Sequence, residues 1–144
     1  MKRISFKLFV LVMIASLSLT ACKKKKDDDQ SSNKDHLNPP SWIQFTWTKP
    51  NGMNGEDGFR FTSDDMFTVM YDAGGSLTLD LSYMESIKNK DYSITEQSTA
   101  DAYQFSVHYN DTNSTESWQF ALHPNGELVY TDNNHNAFIY TKKN

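Results

Sequence analysis

An all-β domain of eight or nine short antiparallel strands, curled up-and-down into a barrel or half-barrel, is what this 144-residue sequence predicts. Three observations lead there. From Trp42 onward the chain is a series of short runs in which apolar and polar residues alternate, the period of a half-buried strand rather than of a helix. The breaks between runs carry turn chemistry: Asp72-Ala73-Gly74-Gly75 and His123-Pro124-Asn125-Gly126 suit tight hairpins, because Gly and Asn accept positive φ. And no break is long enough for the crossover helix that a parallel sheet needs, so neighbouring strands pair antiparallel.

Taken in order, Ile43, Phe45 and Trp47 alternate with Gln44 and Thr46, and Phe59 and Phe61 flank Arg60. Residues 66–71 are apolar on both faces, with Phe67, Val69 and Tyr71 on one of them. Leu77, Leu79 and Leu81 alternate with Thr78, Asp80 and Ser82 in a clear half-buried pattern. Residues 83–89 depart from it and are expected to form a single helical turn. Tyr92 and Ile94 mark a short strand. Tyr103, Phe105, Val107 and Tyr109 face away from Gln104, Ser106 and His108, and Trp118, Phe120 and Leu122 oppose Gln119 and His123. Leu128 with Tyr130, then Phe138 with Tyr140, complete the set. A flat meander of this length would expose two unpaired edges, and curling toward closure removes that aggregation hazard.

The N-terminus carries an address. A basic start (Lys2, Arg3, Lys7) precedes an apolar run over residues 8–19, too short for the roughly 20 residues that span a bilayer. Leu19-Thr20-Ala21-Cys22 then resembles the lipobox of bacterial lipoproteins. The resemblance implies cleavage of a type II signal peptide (residues 1–21) between Ala21 and Cys22, with a diacylglycerol thioether and an amide-linked acyl chain such as palmitate on Cys22. The plainer account, a free thiol after a cleaved signal or an anchor helix, leaves the single cysteine of an exported chain unexplained. Two or more acyl chains hold a protein on a membrane almost irreversibly.

Residues 22–38 read as the lipidated cysteine and a flexible charged tether, and residues 39–144 as one folded domain. Lysines 23–26 would sit against lipid headgroups. Lys rather than Asp directly after Cys22 resembles lipoproteins released to the outer membrane. The acidic run at 27–29 resembles surface-export signals of some Gram-negative groups, which leaves the membrane face open. The domain holds fourteen acids against six bases. That balance repels phosphate backbones and disfavours nucleic acid.

Pro40-Ser41-Trp42-Ile43-Gln44-Phe45-Thr46-Trp47, followed by Gly58-Phe59-Arg60-Phe61-Thr62-Ser63-Asp64-Asp65, resembles the opening of small lipocalin-like (calycin-type) bacterial lipoproteins. The closing strands, from Trp118 through Tyr130 to Lys142, are similar too. The resemblance implies a barrel with a cavity for a small hydrophobic ligand. Phe45 stands where those proteins have a glycine that lets the chain pass closely under Trp47, which implies a rearranged floor or a sterically fuller barrel.

Eight strands enclose room for side chains or for one small molecule. The aromatics are numerous enough to fill it, so a filled core and a ligand-holding barrel both remain open. Inward candidates, chosen by alternation, are Phe61, Met70, Leu79, Phe105, Val107, Trp118 and Phe120. Catalysis has little support. His36, His108, His123 and His135 lack metal-ligand spacing, and there is no Gly-x-Ser-x-Gly elbow or phosphate loop. Asp64-Asp65 reads as turn chemistry and residues 51–58 as a hairpin loop rather than a calcium loop. No enzyme activity, cofactor or metal is expected. The expected partners are the membrane, through the lipid anchor, and a small hydrophobic ligand or an envelope protein.

Overall fold

The computed structural model describes residues 35–144. The expected signal peptide with its cleavage site at Ala21 and Cys22, and most of the expected tether, lie outside the described residues. The chain forms nine strands and one short helix: β1 Thr46–Pro50, β2 Glu56–Phe61, β3 Met66–Tyr71, β4 Leu77–Ser82, α1 Tyr83–Ile87, β5 Tyr92–Ser98, β6 Ala102–Tyr109, β7 Ser114–Leu122, β8 Leu128–Thr131 and β9 Ala137–Lys142. They make a single sheet in the order β4-β3-β2-β1-β9-β8-β7-β6-β5, in which every neighbouring pair is antiparallel. The sheet curls on itself as a half-barrel, in keeping with the alternation and turn signals of the sequence.

The strand count explains why the curl stays open. Eight antiparallel pairings across nine strands leave the two outermost strands, β4 and β5, running the same way. A parallel ladder between them would need a crossover of a dozen or more residues. Only α1 and a few flanking residues separate them in the chain, so α1 bridges the seam without joining the edges.

Turn chemistry holds the hairpins as the sequence implies. Asp72 Oδ1 accepts from Gly74 N at 2.9 Å and Ser76 N at 2.8 Å, and Gly75 adopts a positive φ of 79°. In the loop between β1 and β2, Asn51 Oδ1 accepts from Met53 N and Gly55 N, at 3.0 and 3.2 Å. α1 is anchored at its start by two side chains. Ser82 accepts from Glu85 N at 2.9 Å, and Asp65, from the turn after β2, accepts from Met84 N at 3.1 Å, from Met66 N at 2.7 Å and from the Ser82 hydroxyl. Met84 and Ile87 are thereby buried.

The N-terminal segment departs from the alternation. Ile43, Phe45 and Trp47 suggest one strand, yet Ile43 N donates to Pro40 O at 3.0 Å, and the chain turns before β1 begins at Thr46. Pro39-Pro40 cannot supply ladder donors, and the turn they start drops Ile43 into the core. The packed region also begins before Pro39: Leu37 is fully buried, and Asn38 N donates to Glu96 Oε1 at 2.8 Å. Phe45 lies outside the core, 39% exposed, its ring set edge-on to Trp47 and capped by the Lys142 ammonium 3.0 Å from its centroid. The close approach falls instead at Gly58, opposite Thr48, where any Cβ would collide with the Trp47 carbonyl.

Phe59 on β2 occupies the centre of the core. Its ring meets Trp118 at 6.0 Å, Phe120 at 5.4 Å, Tyr130 at 5.3 Å and Tyr140 at 5.2 Å, three of them edge-to-face. Such pairs contribute about 0.5–1.5 kcal/mol each beyond their area. Phe59→Ala should therefore cost about 3–5 kcal/mol in urea unfolding. Phe138→Ala, at a site 37% exposed, should cost about 1 kcal/mol or less in the same measurement.

Candidate functional site

Register places all seven alternation-chosen residues on the concave face, and burial then divides them. Phe61, Phe105, Val107 and Phe120 are sealed in the core, with Phe61 set edge-to-face on Phe120 at 5.1 Å. Met70, Leu79 and Trp118 are half-exposed and keep an accessible surface.

On one half of the curl, Asp57 pairs with Met70 and Met70 with Leu79, while Phe59 pairs with Thr68 and Thr68 with Leu81. These two rows share the face that Phe59 turns to the core. Outward from Phe59 they are uncovered: Thr68 is exposed and Leu81 is 58% exposed. On the other half, four rings from adjacent strands stack in series. Phe105 meets Trp118 at 6.0 Å and 13°, Trp118 meets Tyr130 at 5.6 Å and 29°, and Tyr130 meets Phe138 at 6.1 Å and 23°. The series runs from a ring that is 1% exposed to one that is 37% exposed. The result is an aliphatic wall and an aromatic wall on one concave surface, with Phe59 between them.

Polar groups mark both ends of this strip. Glu116, facing the same way as Trp118, accepts from the Tyr83 hydroxyl at 2.9 Å and the Tyr109 hydroxyl at 3.1 Å. Tyr83 also lays its ring against Phe105 and Trp118, at 5.5 and 5.6 Å, so α1 caps the buried end of the aromatic series. At the opposite end Lys49 forms an ion pair with Asp57 at 2.7 Å beside the Tyr140 ring. Leu81, Tyr83, Tyr130 and Phe138 were beyond alternation alone, because their membership depends on which strands lie side by side.

A separate cleft of about 370 Å³ lies at the seam beside α1, lined by Asp35, His36, Asp64, Asp65, Ser82, Met84, Glu85, Lys88 and Tyr92. Its most buried carboxylate, Asp65, is consumed by the start of α1 as described. Among the described residues no three His, Cys, Asp or Glu side chains are grouped to hold a metal ion. His108 Nδ1 lies 3.0 Å from Thr115 Oγ1 on a strand face, and His135 sits in a turn at a positive φ of 64°.

The tyrosines report the apolar character of the interior. Burial pushes the Tyr103, Tyr83 and Tyr140 phenols far above their ordinary value. Negative neighbours add to it: Glu96 for Tyr103, Glu116 for Tyr83 and Asp57 for Tyr140. Comparison with known proteins finds no matching family model, curated protein or solved structure.

These phenols hold their protons more tightly when folded than in the unfolded chain, where tyrosine ionises near pH 10. Their contribution is complete below that pH and declines as pH rises from there toward the folded-state value. Each such tyrosine should lower stability by about 1.4 kcal/mol per pH unit across that window. Tyrosinate absorbance should appear together with loss of the fold, and Tyr103→Phe should flatten the alkaline slope of urea unfolding.

Proposed function

We propose that this chain is a lipid-anchored bacterial envelope lipoprotein whose lipocalin-like domain binds a small hydrophobic ligand, without catalysis, along the uncovered strip of its concave face. The observation that carries the reading is the pair of half-exposed walls. Met70, Leu79 and Leu81 remain accessible on one side, and Trp118, Tyr130 and Phe138 on the other, beside a core that is otherwise sealed. Binding sites of this kind are concave and mostly apolar, with a few polar groups at fixed places. Glu116 with its two tyrosines and the Lys49–Asp57 pair supply such groups here. The acidic balance of the domain argues against anionic polymers as the ligand.

A second reading has its own support. Four of the seven inward residues are sealed in the core, three of them against other rings, which suits an accessory subunit with a filled barrel that acts through an envelope partner. Native mass spectrometry of the chain purified from its own host separates the two. A retained small molecule supports binding, and a consistently empty domain supports the accessory role. Where a ligand is retained, Met70→Lys with Leu79→Lys should weaken it by about a hundredfold, since each removes a contact worth about 1.4 kcal/mol. The melting temperature should shift little, because both side chains are already half in water.

Anchoring rests on the Leu19-Thr20-Ala21-Cys22 sequence and on the solitary cysteine. Cys22→Ser should abolish metabolic labelling with palmitate and leave an uncleaved or soluble precursor. Unchanged labelling would refute the assignment. Protease shaving of intact cells reads the leaflet: a protected domain faces the periplasm, a digested one the outside.

A further inference from the structure

We propose that β4 is a self-pairing edge, through which two copies of this chain join antiparallel about a two-fold axis at Asp80. The two half-barrels would then share one continuous concave sheet.

The two edges of the sheet are treated differently. β5 is flanked by the N-terminal segment, where Asn38 N donates to Glu96 at 2.8 Å and Trp42 Nε1 to Thr99 O at 3.1 Å. Among the described residues β4 pairs with β3 alone. Edge strands are ordinarily blunted by Lys, Pro, a β-bulge or an inward charge. β4 reads Leu-Thr-Leu-Asp-Leu-Ser with neither Lys nor Pro, and its one register shift lies at its start, between Leu77 and Leu79, so residues 79–82 stay regular. Its one charge, Asp80, is taken by the Arg60 guanidinium at 2.8 and 2.7 Å. Leu77 and Leu81 nonetheless stand 49% and 58% exposed.

Parity selects the register. Residues opposite one another in an antiparallel pair share a face, and a slip of one residue sends every side chain to the wrong side. An axis at Leu79 sets Leu81 against Leu77 of the second copy. The register shift between Met70 and Tyr71 pairs Leu77 with Tyr71, on the opposite face from Leu79 and Leu81. An axis at Leu81 sets Leu79 against Tyr83 of α1, which is already committed to Glu116 on β7. An axis at Asp80 sets Leu79 against Leu81 and Leu81 against Leu79, both on the concave face, with Thr78 opposite Ser82. Only this register matches both leucines to leucines. The facing Asp80 carboxylates each keep their own Arg60. The occupant is a second copy because the two leucines that flank Asp80 on the concave face are complementary to each other across this axis, the self-match an isologous contact requires.

The shared surface is small, so the pairing is transient. Two acidic domains also repel, and salt that screens them over about 10 Å should strengthen it.

A cysteine scan tests both the pairing and its axis. The full chain carrying Cys22→Ser receives a single cysteine at Thr78, Leu79, Asp80, Leu81 or Ser82, and covalent dimer is read after mild oxidation or a short bismaleimide. Asp80→Cys should cross-link about tenfold faster than its neighbours, and the rate should rise with salt. The double change Leu79→Cys with Leu81→Cys keeps the Asp80–Arg60 pair and should also cross-link. Adding Thr78→Pro should suppress both. Fastest linkage at Leu79 or Leu81 alone would overturn the axis. Absence of linkage at all five positions and in the double variant would overturn the self-pairing, leaving the edge to an extended segment of another protein.

Discussion

Phe59 is the ring on which the curl of the sheet depends. It projects from β2 in one half of the sheet and touches Trp118, Phe120, Tyr130 and Tyr140, which come from β7, β8 and β9 in the other. The β1–β9 ladder between the two halves pairs just two residues of each strand, so this ring, with Phe61 set against Phe120 and Tyr103, supplies most of the contact that draws them together. Hydrogen bonding alone therefore does not hold the curl; aromatic packing does. The same packing consumes the deep interior. Apolar surface that a wider barrel would keep inside is displaced toward β3, β4 and the outer rings of the aromatic series, which is why the accessible strip lies off-centre.

Strand parity sets the second constraint. Because nine strands paired antiparallel end with parallel edges, the sheet cannot close by a further ladder, and the seam must be covered by other means. α1 covers it from one side, with Asp65 and Ser82 fixing its start and Tyr83 reaching across to Glu116. The segment from Leu37 to Ile43 covers it from below, tied to Asp64 through Leu37 N at 3.0 Å and to β5 through Asn38. Among the described residues one edge is thus sheltered and the other left bare. The asymmetry follows from where the N-terminal segment enters.

Much of this was legible in the residues. Alternation located the strands and assigned the faces of β6 and β7 correctly, because side chains in a strand have a period of two regardless of what lies beside it. Turn residues located the hairpins. What could not be read was neighbourhood. Whether Phe105 and Phe61 line a space or fill it depends on how closely two distant strands approach, and no local pattern encodes that distance. Phe45 illustrates the limit. Its spacing from Ile43 and Trp47 suggested one continuous strand, but Pro39-Pro40 starts a turn that rotates Phe45 outward, and the required glycine sits at 58 in the partner strand. The half-exposed strip assembles from residues more than 60 positions apart, such as Met70 and Phe138.

The charge distribution ties these features to function. Of the six bases in the folded part, Lys49, Arg60, Lys90, Lys142 and Lys143 each lie over an aromatic ring, and Lys88 pairs with Glu85. Three of the ring-bound bases also hold a carboxylate: Asp57, Asp80 and Glu56. Cations engaged in this way are poorly placed to meet an incoming anion, since a new partner must displace both ring and carboxylate. The acids greatly outnumber them, and several stand in exposed turns. Long-range attraction toward anionic surfaces is therefore lacking, and the binding proposed above would be left to short-range contact with apolar walls and a bare strand edge. On the proposed reading such a domain would depend on being held close to what it meets, which is the service a lipid anchor and a charged tether would provide.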